Sequence, residues 1–450
     1  MSPPHHVVPD EHFHALAAGG GGAASVGLLA RAEYSKHLLL LRGVVEAART
    51  ARHPDAGAAR DAYTLLSAAQ KCHAAAADAV LRHPAVGAWA WRTFRALDRG
   101  DPSPPHAPAR LAAVAAAAAV RAGKPFAVEV PVEDGGVMLP SLGRAAASGT
   151  TALVRRTTGD AEVVSPGYRV LVPRDPHQDT PGWQGLRRLS VTAKGRSLHL
   201  LIDDLDPYRM PGAHVSNERL PASEVERWLR LLHEAWVILR THHWTIADEV
   251  AAAIRVLTPL DSLADDQTSG SSRETFGSIA LSSPPDARTM ALTFAHEVQH
   301  GKLSALLDVI PLLHPAPGRR YYAPWRPDPR PLGGLLQGAY AYIGVSGFWR
   351  RQRHHESADS AVAANAEFCR WREAAEQTAD TIASSGHLTA HGKIFVDGMT
   401  RTLRDWARED VPPAAVVRAR RDAAGHRTHW LARNSDDVNG ASPGGGAVHG

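Results

Sequence analysis

Ser283-Pro-Pro-Asp-Ala-Arg-Thr-Met-Ala-Leu-Thr-Phe-Ala-His-Glu-Val-Gln-His-Gly-Lys-Leu-Ser-Ala-Leu306 decides how this chain is read. Its apolar residues Met290, Leu292, Phe294, Leu303 and Leu306 recur with helical spacing. Ser283 as cap, Pro284 at the first position and Asp286 in the first turn predict where that helix begins. Within it lies His296-Glu297-Val298-Gln299-His300, the pattern HExxH. On a helix the two histidines stand one turn apart and about 40° offset around the axis, so both imidazoles can hold one divalent ion. Glu297 sits to the side of that face, where it reaches a water polarised by the ion more readily than the ion itself, the position of a general base or of a hydrogen-bond acceptor behind the ligands.

Two imidazoles need a third ligand. Zinc hydrolases add a histidine or a carboxylate, and non-haem iron oxygenases add a carboxylate. After His300 the chain reads Gly301-Lys-Leu-Ser-Ala-Leu306, without the HExxHxxGxxH extension, so the donor must come from downstream. The candidates are Gln337, on a predicted apolar helix Leu332–Trp349, and Glu356, Asp359, Glu367, Glu373 and Glu376 on the next one. Between them, Arg319-Arg-Tyr-Tyr-Ala-Pro-Trp-Arg-Pro-Asp-Pro-Arg-Pro331 carries four arginines, three aromatics and four prolines. Proline stiffens such a loop, and a fixed guanidinium grips a carboxylate bidentately. The competing reading has these arginines stacked on Trp325 and the tyrosines. The pairs His242-His243 and His354-His355 are neighbours that cannot face one metal together, and His233-Glu234 has no second ligand in register.

The rest of the chain sets bounds. With 450 residues, 44% hydrophobic and 21% charged, it has globular composition and room for two or three domains. Fifty Lys and Arg against 46 Asp and Glu are scattered, so no nucleic-acid stripe is expected. Cys72 and Cys369 form no CxxC, cannot staple the chain and are expected as small core residues in a reducing cytoplasm. Met1 to Gly22 lacks the charge and apolar order of a secretory signal, and Leu111–Val120 is too short for a membrane span. No Walker A, dinucleotide fingerprint or nucleophile elbow occurs in a supporting context.

The predicted fold class is α+β, mainly helical, with a small β-rich middle segment and a zincin-like HExxH helix. A helical region occupies residues 1–124, including a buried helix from Leu28 to Val45 after the Gly19–Gly22 break. Residues 125–215 read as strands at 126–132, 151–154 and 168–172, then a hairpin of 189–193 and 197–202. Residues 216–432 form the metal-binding region. They open on a helix from Ser223 to His243 and one from Ile246 to Leu257, followed by a loop Ser269–Arg273 and a strand over 276–282. Residues 433–450 read as a disordered tail.

Ser269-Gly-Ser-Ser-Arg273, Phe276-Gly-Ser-Ile, His296-Glu-Val-Gln-His-Gly-Lys-Leu303, Tyr321-Tyr-Ala-Pro-Trp-Arg326 and Arg330-Pro-Leu-Gly-Gly-Leu-Leu-Gln-Gly338 together resemble the HExxH-type peptide-modification proteins of actinobacterial ribosomal-peptide clusters. The resemblance is densest from Leu257 to Arg353. It implies a 2-oxoglutarate-dependent peptide β-hydroxylase on a metalloprotease-like scaffold. Its substrate would be a precursor peptide, and a radical-SAM enzyme would act on the same peptide. His296 and His300 would then ligate Fe(II), Gln337 would be the third ligand, and Arg326 or Arg330 would take the distal carboxylate of 2-oxoglutarate. Residue chemistry without the resemblance favours a zinc-dependent peptidase with Glu297 as base. A third reading is a peptide-binding protein with an idle metal site.

Overall fold

The computed structural model describes residues 6–101, 107–157, 159–216, 218–261, 268–316 and 318–434, apart from the side chains of residues 358 and 359. The expected tail therefore lies, from residue 435 on, outside the described residues. The architecture is α+β and mainly helical, with thirteen helices and small sheets among the described residues.

The Gly19–Gly22 break separates α1 (Asp10–Ala17) from α2 (Gly22–Thr50). Next come α3 (Ala56–Cys72), α4 (Ala74–Leu81), α5 (Pro84–Arg99) and α6 (Leu111–Ala122). The Leu111–Val120 run is α6, buried from Leu111 to Ala119 and packed against α3 and α4. Its alanines bring backbones close, which makes it a core helix. Among the described residues no single helix is long and apolar enough to cross a membrane. Cys72 is the last residue of α3 and is exposed, contrary to expectation. Cys369 is buried as expected.

The β-rich segment comprises β1 (Phe126–Pro131), β2 (Gly136–Leu139), β3 (Gly143–Ala146), β4 (Thr151–Arg156), β5 (Glu162–Ser165), β6 (Tyr168–Leu171), β7 (Trp183–Gly185), β8 (Arg187–Ala193) and β9 (Arg196–Ile202). One antiparallel sheet has the order β1-β4-β5-β6 and another β2-β3-β7. The expected hairpin is β8–β9, with Ala193 opposite Arg196 across Lys194 and Gly195, both at positive φ (49° and 71°). That is the two-residue turn whose twist suits paired strands.

After α7 (Ala222–His242), α8 (Trp244–Ala253) stops four residues before the expected end. The apolar residues that follow are β10 (Val256–Pro259), parallel to both β9 and β12 (Ser278–Leu281). All four residues of β10 are buried, and a strand covered on both faces has no alternation to distinguish it from a helix. The two-residue β11 (Ser269–Gly270) pairs antiparallel with β12 and completes the order β11-β12-β10-β9-β8. Then follow α9 (Ala287–Leu307), the short strands β13 (Arg320–Tyr321) and β14 (Arg330–Pro331), and α10 (Leu332–Gln352), α11 (Ala358–Ala383), α12 (Ala390–Trp406) and α13 (Pro413–Arg433).

The chain packs as two compact units that cut across the sequence partition. Residues 26–297 form one, and residues 1–25 with 298–450 form the other. The division falls inside α9, which is therefore an element of both. In the larger unit, α6 and the β-rich segment share one apolar core. In the smaller, α11 packs against α10, α12 and α13, while α1 lies on α12.

The larger unit also buries titratable groups. Asp203 is fully buried, its Oδ1 accepting from the Asp206 and Leu205 amides and its Oδ2 lying 3.7 Å from His83 Nε2. Burial and the nearby Asp206 carboxylate push Asp203 up to about 8. Burial pushes His83 and His37 down to about 4. Between pH 4 and 6.5 unfolding lets both histidines take up protons while Asp203 releases one, so stability rises with pH. From pH 6.5 to 8 only Asp203 differs, the folded chain holds the extra proton, and stability falls. Asp203→Asn should abolish that fall in a series of melting temperatures; a fall of the same size in the variant contradicts the assignment.

Candidate metal centre

Helix α9 is capped by Asp286 rather than Ser283. Asp286 Oδ1 accepts the Thr289 amide at 2.7 Å and caps the first turn. Ser283 Oγ instead contacts Glu224, Arg227 and Trp228 on α7. The two prolines before Asp286 lengthen the connection from β12, which moves the start three residues on.

Most of α9 is buried, and its accessible positions include Leu292, His296, His300 and Ser304. These four recur every four residues and so form one stripe. Both HExxH histidines thus lie on the open side of an otherwise covered helix. Glu297, next to that stripe, is 1% exposed. Its Oε1 accepts from Ser269 Oγ of β11 at 2.7 Å and stands 3.9 Å from His296 Nε2. Its Oε2 is buried with no hydrogen-bond partner among the described residues.

His300 is oriented from α10. Its Nδ1 lies 3.1 Å from Gln337 Oε1, and Gln337 Nε2 donates to Ser304 Oγ at 3.2 Å. An amide oxygen only accepts, so a proton on Nδ1 would satisfy this contact and leave Nε2 for a metal. Gln337, expected as the third ligand, is placed against the ring of His300. A hydrogen bond of this kind holds a ligating histidine in position. Gln337→Ala is expected to weaken divalent-ion affinity roughly 10- to 100-fold in a calorimetric titration, with little loss of stability. An affinity equal to wild type would remove Gln337 from the site.

The carboxylate candidates on and beside α11 have other engagements. Glu356 accepts from Gln352, and Glu367 from the Trp371 indole. Glu373 meets Arg372 and Cys369, while Glu376 meets Arg372 and Arg404. The side chain of Asp359 lies outside the described residues. Among the described residues, no three His, Cys, Asp or Glu side chains gather as a ready metal cluster. Two imidazoles on the open stripe, beside a buried carboxylate oxygen that lacks a hydrogen bond, are nevertheless donor chemistry that fits a divalent ion.

The arginine-rich loop is pinned at both ends, Arg320 and Tyr321 pairing with Pro331 and Arg330. Trp325 stacks on Tyr342 with ring centroids 4.7 Å apart, and Tyr342 lies 4.5 Å from Trp371. Arg319 lies over Tyr321, so the stacking reading holds for that arginine; Trp325 takes a tyrosine instead. Arg326 Nε and Arg330 Nη1 both donate to Asp328, each at 3.0 Å. Burial of Asp328 is outweighed by these hydrogen bonds from Arg330 and Arg326, which hold its carboxyl below the usual range. Two guanidiniums on one carboxylate leave one positive charge uncompensated. A Cβ on Gly334 would stand 3.4 Å from Arg330 Nε, so this guanidinium lies along the first turn of α10.

Three functional neighbours escaped the sequence reading. Ser269 holds Glu297, while Gln299 and Lys302 anchor α9 to the Gly19–Gly20 carbonyls. Only burial could have signalled them, since a polar side chain on a covered helix face must find a partner. Compared with known proteins, the chain matches no protein-family model and no curated sequence.

Proposed function

We propose that the chain is an Fe(II)- and 2-oxoglutarate-dependent oxygenase, built on a zincin-like α+β scaffold, that hydroxylates the β-carbon of a residue in a ribosomally made precursor peptide. His296 and His300 would hold the ion. Bound Fe(II) supplies the redox chemistry that couples O2 to a 2-oxo acid and the peptide C–H bond. Gln337 fixes the tautomer and plane of His300. Ser269 keeps Glu297 turned beside the histidines, and the covered flanks of α9 exclude water from all but one side.

The observation that carries this reading is the place of Arg330. Its guanidinium lies along Gly334, and Gln337, about 4.5 Å further along the helix axis, touches His300. A cation with charge to spare is thus less than a few helical turns from the metal ligands, where the distal carboxylate of a keto acid needs a partner. Arg326 shares Asp328 and helps aim it. The family resemblance supplies the peptide substrate, the radical-SAM partner and the cytoplasmic setting.

A zinc-dependent peptidase is favoured by one observation, the unpartnered Glu297 Oε2, since a hydrolytic water needs a base with a vacant oxygen. The two separate cleanly. Protein reconstituted anaerobically with Fe(II) and then supplied with O2 should convert 2-oxoglutarate to succinate and CO2, using one oxygen atom for succinate and adding the mass of the other to the peptide. Peptide cleavage by the zinc form, with the iron form leaving its mass unchanged, would reverse the choice.

A further inference from the structure

A second site lies in the larger unit, apart from the HExxH motif. A cavity of about 540 Å³ opens among β1, β2, β3 and the segment after β9, within the volume range of small-molecule pockets. Arg110, Arg144, Arg209 and Arg219 line it, together with Glu133, Asp134 and Asp204. Of the three carboxylates in the wall, Glu133 and Asp204 are already engaged by other arginines. Asp206, behind the wall, accepts from Arg110 Nη2 at 2.8 and 2.9 Å, and Arg110 Nη1 also reaches Glu133 at 3.3 Å. Asp204 is paired with Arg187 and lies 3.5 Å from Arg219.

Arg144 and Arg209 remain. Arg209 is 8% exposed, and its guanidinium donates to the carbonyls of Asp206 (2.8 Å) and Ser216 (2.5 Å). Arg144 donates to the carbonyls of Glu133 and Asp134. Carbonyl oxygens orient a guanidinium without neutralising it. Among the described residues, neither arginine is hydrogen-bonded to a carboxylate. Both are held in place: a Cβ on Gly136 would stand 2.7 Å from Arg144 Nε, so that side chain runs against bare backbone. Donors in the wall are unsatisfied as well, since among the described residues Arg110 Nε and Arg209 Nε are buried without hydrogen-bond partners. A cavity with two fixed guanidiniums held by carbonyl oxygens, four arginines to three carboxylates in its wall and stranded buried donors is built to receive an anion.

We propose that this cavity binds a small organic oxyanion, its carboxylate or phosphate held between Arg144 and Arg209. The remaining volume takes the organic portion against Val130, Met138 and Val215. The proposal is independent of the metal centre. It is tested by calorimetric titration of the metal-free full chain with L-glutamate and, separately, with inorganic phosphate. Repeating both titrations on Arg144→Gln and Arg209→Gln locates the binding.

Saturable binding of either probe, weakened at least tenfold in Arg144→Gln, supports the site, and the probe that binds identifies the group. Arg144 is half-buried and its variant leaves the core intact, so it decides the question if Arg209→Gln fails to fold. Silence with both probes, or unchanged affinity in a folded Arg144→Gln chain, overturns the proposal.

Discussion

A His296→Ala chain is expected to melt at the wild-type temperature while losing its divalent ion and all turnover above background. Its side chain is 24% exposed and lies on the open stripe of α9, so truncation leaves no sealed cavity in the core. The ion suffers far more. A chelate of two imidazoles becomes one, and the loss should exceed the roughly 10- to 100-fold that follows removal of an outer hydrogen-bond partner. Calorimetric titration with Fe(II) or Zn(II), beside a thermal melt, measures both quantities. Ion affinity equal to wild type in this variant would dissociate the HExxH motif from metal binding.

Lys302→Met is expected to lower stability markedly. Lys302 is 1% exposed, and its ammonium donates to Gly19 O at 3.2 Å and Gly20 O at 3.0 Å. It also lies 5.8 Å from the centre of the Tyr340 ring. Methionine keeps the unbranched shape at one atom less and spares the cost of burying a charge, which favours the variant. Against that, two charge-assisted hydrogen bonds disappear. Gly19 O keeps Gln299 Nε2 at 2.8 Å, but the Gly20 carbonyl loses the Lys302 ammonium. The losses outweigh the gain, with a net cost of about 2–4 kcal/mol. A melting temperature lower by about 5–10 °C is the expected reading for a unit of this size. An unchanged melting temperature would mean that Lys302 does not anchor α9.

Periodicity made the long elements legible. α2, α7, α9 and α10 carry apolar stripes or runs that the sequence displays directly, and the β8–β9 hairpin announces itself through Lys194-Gly195. Strands of three or four residues, such as β2, β3, β5 and β7, are shorter than any window in which alternation can be counted. β10 was hidden for a different reason: burial on both faces erased its period, so it read as the end of α8. At the candidate site, the shared face of His296 and His300 follows from the spacing of the motif. The contacts of Gln337 and Ser269 do not, because 37 residues separate Gln337 from His300 and 28 separate Ser269 from Glu297. Such meetings depend on how helices and strands pack, and local spacing carries no record of them. Cys72 shows the converse error, where residue type suggested burial and its place at the open end of α3 decided otherwise.

The central claim is that His296 and His300, one turn apart on the accessible side of α9, share a single ion. Anomalous diffraction from crystals grown with the metal tests this directly, collected at the absorption edge of iron or zinc. The account predicts one strong peak about 2.0–2.2 Å from a ring nitrogen of each histidine, with Nε2 facing the ion in His300. A peak bound elsewhere on the chain, or none at this helix in metal-saturated crystals, would contradict it.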